Sequence, residues 1–300
     1  MILLYHNVFP DSIPNDQWIS GPILRESDFQ KHLIWLNKHF QIVPLDDYLL
    51  SRSGSQRKIS ITFDDGYKQA FNVVFPFLAG LQVPATFFVN TQHLRDGDLY
   101  WFSYLNALCY EKKFNKIVIG EDEFSLKTRA ESIKTRQKLG SLARLSGDPI
   151  AFTLQLSSRY TLNKSTYFKY EGLSLDQIRK ISQNELLSVG GHTVTHPYLD
   201  QLSFNAQKDE MLVNKQDLEE ICGNNVSYFA YPSGVYNADS LQAVKEVGFR
   251  AAFAVNPRHL KGDDVFQISR AGVYSPSLYK LALKTYGGVK LLRKFGFKIG

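Results

Sequence analysis

Lys58-Ile59-Ser60-Ile61-Thr62-Phe63-Asp64-Asp65-Gly66 is the stretch on which the fold turns. Positions 58–63 are a near-continuous β-branched and apolar run, the pattern of a strand covered on both faces. The run ends in two adjacent carboxylates and a glycine, residues that favour a turn. A helix is expected over 67–78. Strand, polar turn and amphipathic helix make half of a crossover unit, and the pattern repeats in both directions.

Upstream, strands are expected over 2–6 and 42–43. Helices are expected over 26–39, where Phe29, Leu33, Trp35 and Leu36 fall near helical spacing, and over 45–50. Downstream comes a strand over 85–90. After position 186 the rhythm resumes: strand 187–189 into Gly190-Gly191-His192, helix 205–220, strand 228–231, helix 238–247, strands 251–255 and 267–273, and a last helix from Ser277. The Gly pair is read as a sharp exit from its strand. The block 100–186 breaks the rhythm, with a hairpin of 116–119 and 123–126, a basic helix over 129–145, and a helix over 174–183 capped by Ser174. It is read as an insertion that shapes a substrate groove. One α/β domain over 1–300 is expected, with parallel strands closed into a barrel or left as an open doubly wound sheet. In either closure Asp64, Asp65, His192 and Ser233, each just after a strand, gather at the C-terminal strand ends.

The 44% apolar content is enough to support a packed core, which excludes disorder as the main state. Cys109 and Cys222 are too few and too far apart for a disulfide framework. The net charge of +6 comes entirely from the end of the chain. Residues 275–300 carry Lys280, Lys284, Lys290, Arg293, Lys294 and Lys298 and no acid, so the rest is neutral and offers no basic stripe for nucleic acid. The opening Met-Ile-Leu-Leu-Tyr-His run lacks a basic leader and is too short for a signal-peptide core. No stretch approaches the roughly 18–20 apolar residues of a membrane span. The expected location is the cytoplasm. The tail interleaves Val289, Leu291, Leu292, Phe295, Phe297 and Ile299 with its cations, which fits either docking on the body or peripheral contact with an anionic membrane.

Two motifs carry chemistry. Asp64-Asp65 places two carboxylates at a strand end, costly unless a cation compensates them. His192-Thr193-Val194-Thr195-His196 presents two imidazoles to one metal if the backbone coils there. It lacks the Glu of the zinc-protease helix motif. One carboxylate and two imidazoles suit Zn²⁺ or another first-row divalent ion, leaving the second carboxylate free as a base. No GxSxG, no Cys beside a His and no phosphate-cradling glycine loop competes. A 2-His-1-carboxylate iron oxygenase and a non-catalytic carbohydrate-binding barrel are the alternatives. Tyr100, Trp101, Phe102, Tyr198, Tyr231 and Tyr236 are candidates to stack on sugar faces, in competition with ordinary core packing.

Thr62-Phe63-Asp64-Asp65-Gly66, His192-Thr193-Val194-Thr195-His196 and Tyr231-Pro232-Ser233-Gly234, in that order, resemble the successive motifs of polysaccharide deacetylases, carbohydrate esterase family 4. The resemblance implies a distorted (β/α) barrel with seven or eight mainly parallel strands. It also implies a divalent metal, usually zinc, and removal of acetyl groups from N-acetylated sugars. It assigns Asp65, His192 and His196 to the metal, Asp64 to the general base, and the backbone N–H near Ser233 to the oxyanion. The family pattern has an Arg where Ala230 stands and a late Leu-x-His general acid. Here no His follows His259. Members that open with a Tyr-His strand resemble this chain at Tyr5-His6, which points to His6 as the acid, with His259 in reserve and Arg270 in place of the missing Arg.

Overall fold

The computed structural model describes residues 1–14, 23–50, 57–97, 99–163, 167–255 and 264–287. His259 and the tail beyond Gly287 lie outside them.

The strands in chain order are β1 Ile2–Tyr5, β2 Val8–Phe9, β3 Leu24–Arg25, β4 Gln41–Ile42, β5 Lys58–Phe63, β6 Ala85–Val89, β7 Lys116–Ile119, β8 Asp122–Ser125, β9 Leu187–Gly191, β10 Tyr228–Ala230, β11 Ala251–Val255 and β12 Ile268–Gly272. Seven of them close a parallel barrel in the order β1-β5-β6-β9-β10-β11-β12 and back to β1, and β4 adds an eighth strand along the start of β5. The closure is therefore the barrel and not the open sheet. β1 is the keystone: Leu4 is in register with Thr62 of β5 on one side and with Gly272 of β12 on the other.

Two apolar layers hold this frame. Inside the barrel Ile2, Phe88, Tyr228, Ala230, Ala251, Phe253 and Ile268 pack together. The short helix Leu45–Leu50 closes the N-terminal end, with Leu45 in that cluster and Asp46 accepting from the Tyr228 hydroxyl at 2.6 Å and from Arg250 at 2.9 Å. Outside, the opposite strand faces meet the helices in one continuous core, of which Phe29, Leu33 and Leu36 of helix Glu26–His39 are part.

The block 100–186 divides into two kinds of structure. All ten residues of helix Trp101–Tyr110 are buried, so this segment belongs to the core. Helix Arg129–Leu145, started by a Thr128–Glu131 capping box, packs Ser132, Thr135, Leu139 and Ala143 inward and leaves its other faces accessible. A further helix, Pro149–Arg159, follows it.

The Gly190-Gly191 pair departs from expectation, because both residues stay in β9. Their role is space: a Cβ on Gly190 would lie 2.5 Å from the Phe88 ring, and one on Gly191 would lie 2.8 Å from the Asn214 side-chain oxygen. The left-handed turns come later, at Thr193 (φ 68°) and His196 (φ 57°). Gly191→Ala should cost about 1–3 kcal/mol by overpacking. Thermal denaturation checks this, and an unshifted melting temperature would contradict the tight fit.

Candidate metal and catalytic centre

The residues just past the strands meet at the C-terminal face. After β5 the chain turns through Asp65 (φ 69°) and Gly66 (φ 59°), both in the left-handed region. Gly66 is required twice over, since a Cβ there would also lie 2.9 Å from Val89 Cγ1. The turn delivers two adjacent carboxylates to the barrel mouth, both buried.

Asp64 has its counter-charge within the chain. Arg270, from the middle of β12, donates from Nη1 to Oδ1 and from Nη2 to Oδ2, each at 2.6 Å, and both side chains are almost wholly buried. The fork-to-fork pair fixes the carboxylate plane. Arg270 Nη1 also reaches Thr62 Oγ1 at 3.2 Å, and the guanidinium lies over the Phe88 ring inside the barrel.

Asp65 has no such cation. Its neighbours are imidazoles: His192 Nε2 at 3.4 Å and His196 Nε2 at 3.5 Å, both from Oδ1. One ligand atom from each of the three residues lies within 4.8 Å of the others. His192 Nδ1 bonds the Ala230 carbonyl at 2.7 Å and must donate to it, which leaves Nε2, the nitrogen facing Asp65, as the one able to ligate a metal. Burial brings His196 down to about 4, which keeps it neutral. Burial raises the Asp65 carboxyl, but the surrounding His192, His6 and His196 outweigh it and hold it down at about 2. Two imidazole nitrogens and a carboxylate oxygen thus converge on one point.

A divalent ion fits this donor set. Ligand atoms 2.0–2.2 Å from a tetrahedral ion sit roughly 3.3–3.6 Å apart, as the Asp65 pairs do. The backbone carbonyl behind His192 is the usual outer partner of a metal-bound imidazole.

The loop carrying the imidazoles is fixed from behind. Asn214 accepts from the His192 N–H at 3.0 Å and donates to Val89 O at 3.0 Å. Asn90 donates to His192 O. Glu210 takes the N–H groups of Val194 and Thr195, both at 2.9 Å, and the Thr195 hydroxyl at 2.7 Å. Trp101 Nε1 donates to His196 O at 3.1 Å. Asn90, Asn214 and Glu210 escaped sequence reading, because a polar residue in a helix or at a strand end carries no mark of what it will hold.

A cavity of about 580 Å³ opens above the cluster. It gathers His6, Asp64, Asp65, His192, His196 and Ser233 as expected, while Arg270 lies below, behind Asp64. His6 Nδ1 is buried without a hydrogen-bond partner. Ser233 sits at φ 55° in the turn Pro232–Gly234, where the N–H groups of Gly234 and Val235 are taken by Tyr231 O and Pro232 O. Among the candidate aromatics, Trp101, Phe102 and Tyr198 line the cavity. Tyr100, Tyr231 and Tyr236 do not: their rings are buried, Tyr231 bonding Phe266 O and Tyr236 bonding Gln267. Tyr67, Arg129, Arg136 and Tyr274 are lining residues that sequence reading missed.

A parallel barrel with an Asp-His-His cluster at its C-terminal mouth defines a class, and the comparisons agree with it. The polysaccharide deacetylase profile matches residues 51–252, and the chain belongs to that family. YxkH of Bacillus subtilis (strain 168), a polysaccharide deacetylase by name, is 20% identical over 95% of this chain and 75% of its own. Among solved structures, the Streptococcus pyogenes deacetylase PplD, in complex with acetate, superimposes with a TM-score of 0.58 at 18% identity, over 95% of this chain and 96% of its own. IcaB from Ammonifex degensii gives 0.58 at 17%, over 95% and 98%. At such identities the likeness is one of fold.

Proposed function

We propose that this protein is a zinc-dependent hydrolase that removes the acetyl group from an N-acetylated sugar. The observation that carries the proposal is the pairing of two different carboxylates in one turn. Asp65 faces two imidazoles, and Asp64 is held next to it by Arg270. An iron oxygenase has no use for the second carboxylate, and a binding barrel has no use for either. The mixed nitrogen and oxygen donor set suits zinc.

An ion held by Asp65, His192 and His196 would polarise the acetyl carbonyl and acidify the attacking water. Asp64, kept in one orientation by the guanidinium, accepts the proton that this water loses as its oxygen bonds the carbonyl carbon. The backbone N–H near Ser233, a residue of the cavity lining, donates to the carbonyl oxygen as it becomes negative. His6, just past β1 and beside the end of β5, delivers a proton to the sugar nitrogen as the C–N bond breaks, because an amide anion is too basic to leave. The products are acetate and a free amine.

Mass spectrometry of N-acetylglucosamine oligomers incubated with zinc-loaded protein tests the reading. A loss of one acetyl group with stoichiometric acetate supports it, and an unchanged oligomer with zinc bound counts against it. His6→Ala should retain its zinc and lose about 10²–10⁴-fold in kcat. If that variant turns over normally, the proton comes from elsewhere, and His259→Ala is the next variant to assay.

A further inference from the structure

Helix Arg129–Leu145 has a second face besides the one it buries. Arg129, Ile133, Arg136 and Gln137, at positions i, i+4, i+7 and i+8, all line the cavity above the Asp-His-His cluster. The arginines have no carboxylate within salt-bridge distance among the described residues, although the same helix pairs Arg144 with Asp200 at 2.8 Å. Arg136 is half-buried and meets only neutral acceptors: Nε donates to Asn106 Oδ1 at 2.6 Å and Nη2 to Phe102 O at 3.4 Å. A guanidinium has five N–H donors, so three remain. Gly140 makes room for it, since a Cβ there would lie 2.9 Å from Arg136 Nη1.

Charge around the cavity reinforces the point. Asp64 and Asp65 are the acidic residues of its lining. Asp64 is neutralised by Arg270, and Asp65 belongs to the cation site. What is left facing the groove is Arg129 and Arg136, a positive wall along one side of the cleft.

We propose that the groove selects N-acetylated sugars that bear an anionic group, a phosphate or a carboxylate, and that Arg129 and Arg136 hold that group while the acetamide lies at Asp64 and Asp65. This rests on the deacetylase reading and narrows its substrate class. Arg supplies the flat, two-toothed donor pattern that phosphate and carboxylate oxygens match.

The test is equilibrium binding to the zinc-loaded protein of four probes: N-acetylglucosamine, its 1-phosphate, its 6-phosphate and its 6-carboxylate. At least one anionic probe should bind about tenfold more tightly than the neutral sugar, the amount one charge-assisted contact supplies, and the preference should shrink as salt rises. Which probe wins distinguishes phosphate from carboxylate and fixes its position. In Arg129→Gln and Arg136→Gln the preference should fall below about threefold, with the circular-dichroism spectrum as the check on folding. Arg129 is exposed, so its variant carries the test even if Arg136→Gln is unstable. Equal binding of neutral and anionic probes by the wild type, or an undiminished preference in both variants, overturns the proposal. Acetate release separates the two ideas. Equal release from neutral and anionic sugars sinks the selectivity and keeps the deacetylase. Arginine-dependent binding with no release from any sugar does the reverse.

Discussion

His192→Ala and His196→Ala are each expected to emerge from zinc loading and desalting with little or no metal, while the wild type retains about one ion per chain. Each loses one of three protein ligands, and the described residues hold one cluster of this kind. Turnover should fall roughly 10³-fold or more, because several kcal/mol of Lewis-acid stabilisation disappears and each 1.4 kcal/mol is tenfold. Elemental analysis beside kcat checks both halves. Wild-type occupancy in both variants would remove the metal site from the account. The apo variants should remain folded, since neither ring belongs to the apolar layers of the barrel.

Asp64→Asn is expected to show the opposite combination, with metal retained and kcat lowered by about 10²–10⁴-fold. The amide is nearly isosteric but cannot take the proton of the water. It also leaves Arg270, which is 1% exposed, without its counter-charge, and an uncompensated buried charge typically costs about 3–5 kcal/mol. The melting temperature should therefore fall together with the rate. Adding Arg270→Gln removes the stranded charge, so the double variant should regain much of the stability and none of the activity. A cycle of the four proteins, each measured for melting and for kcat, separates the two effects. If Asp64→Asn works at near-normal rate, Asp64 is not the base.

The parts of this protein that could be read in advance share a physical property: their function is local. β5 reads as a strand because its burial is continuous, and the two carboxylates that end it sit one after the other. Ser174, Thr128 and Asn237 start their helices with side chains that bond backbone three residues on, and the Ser174 cap is visible from the residues alone. Helix Trp101–Tyr110 was illegible for the converse reason. Buried on every side, it has no polar face and so no helical period to detect. The two-residue strands β2 and β3 are set by each other and not by any pattern of their own. At the site, Asp65, His192 and His196 announce themselves by residue type. Arg129 and Arg136 do not, because a basic helix usually presents its charges to water, and only the placement of that helix over the barrel mouth turns two of them towards the cluster.

The bond between Asp64 and Arg270 joins positions 206 residues apart. During synthesis Asp64 is made early, and the strand that carries Arg270 emerges only after nearly all of the barrel has been made. β1, the earliest strand of all, must wait as well, since one of its two edges stays open until β12 arrives. A chain that lacks β12 therefore carries Asp64 without the guanidinium that compensates it. Pairing of the last strand with the first closes the ring and brings Arg270 to Asp64 together.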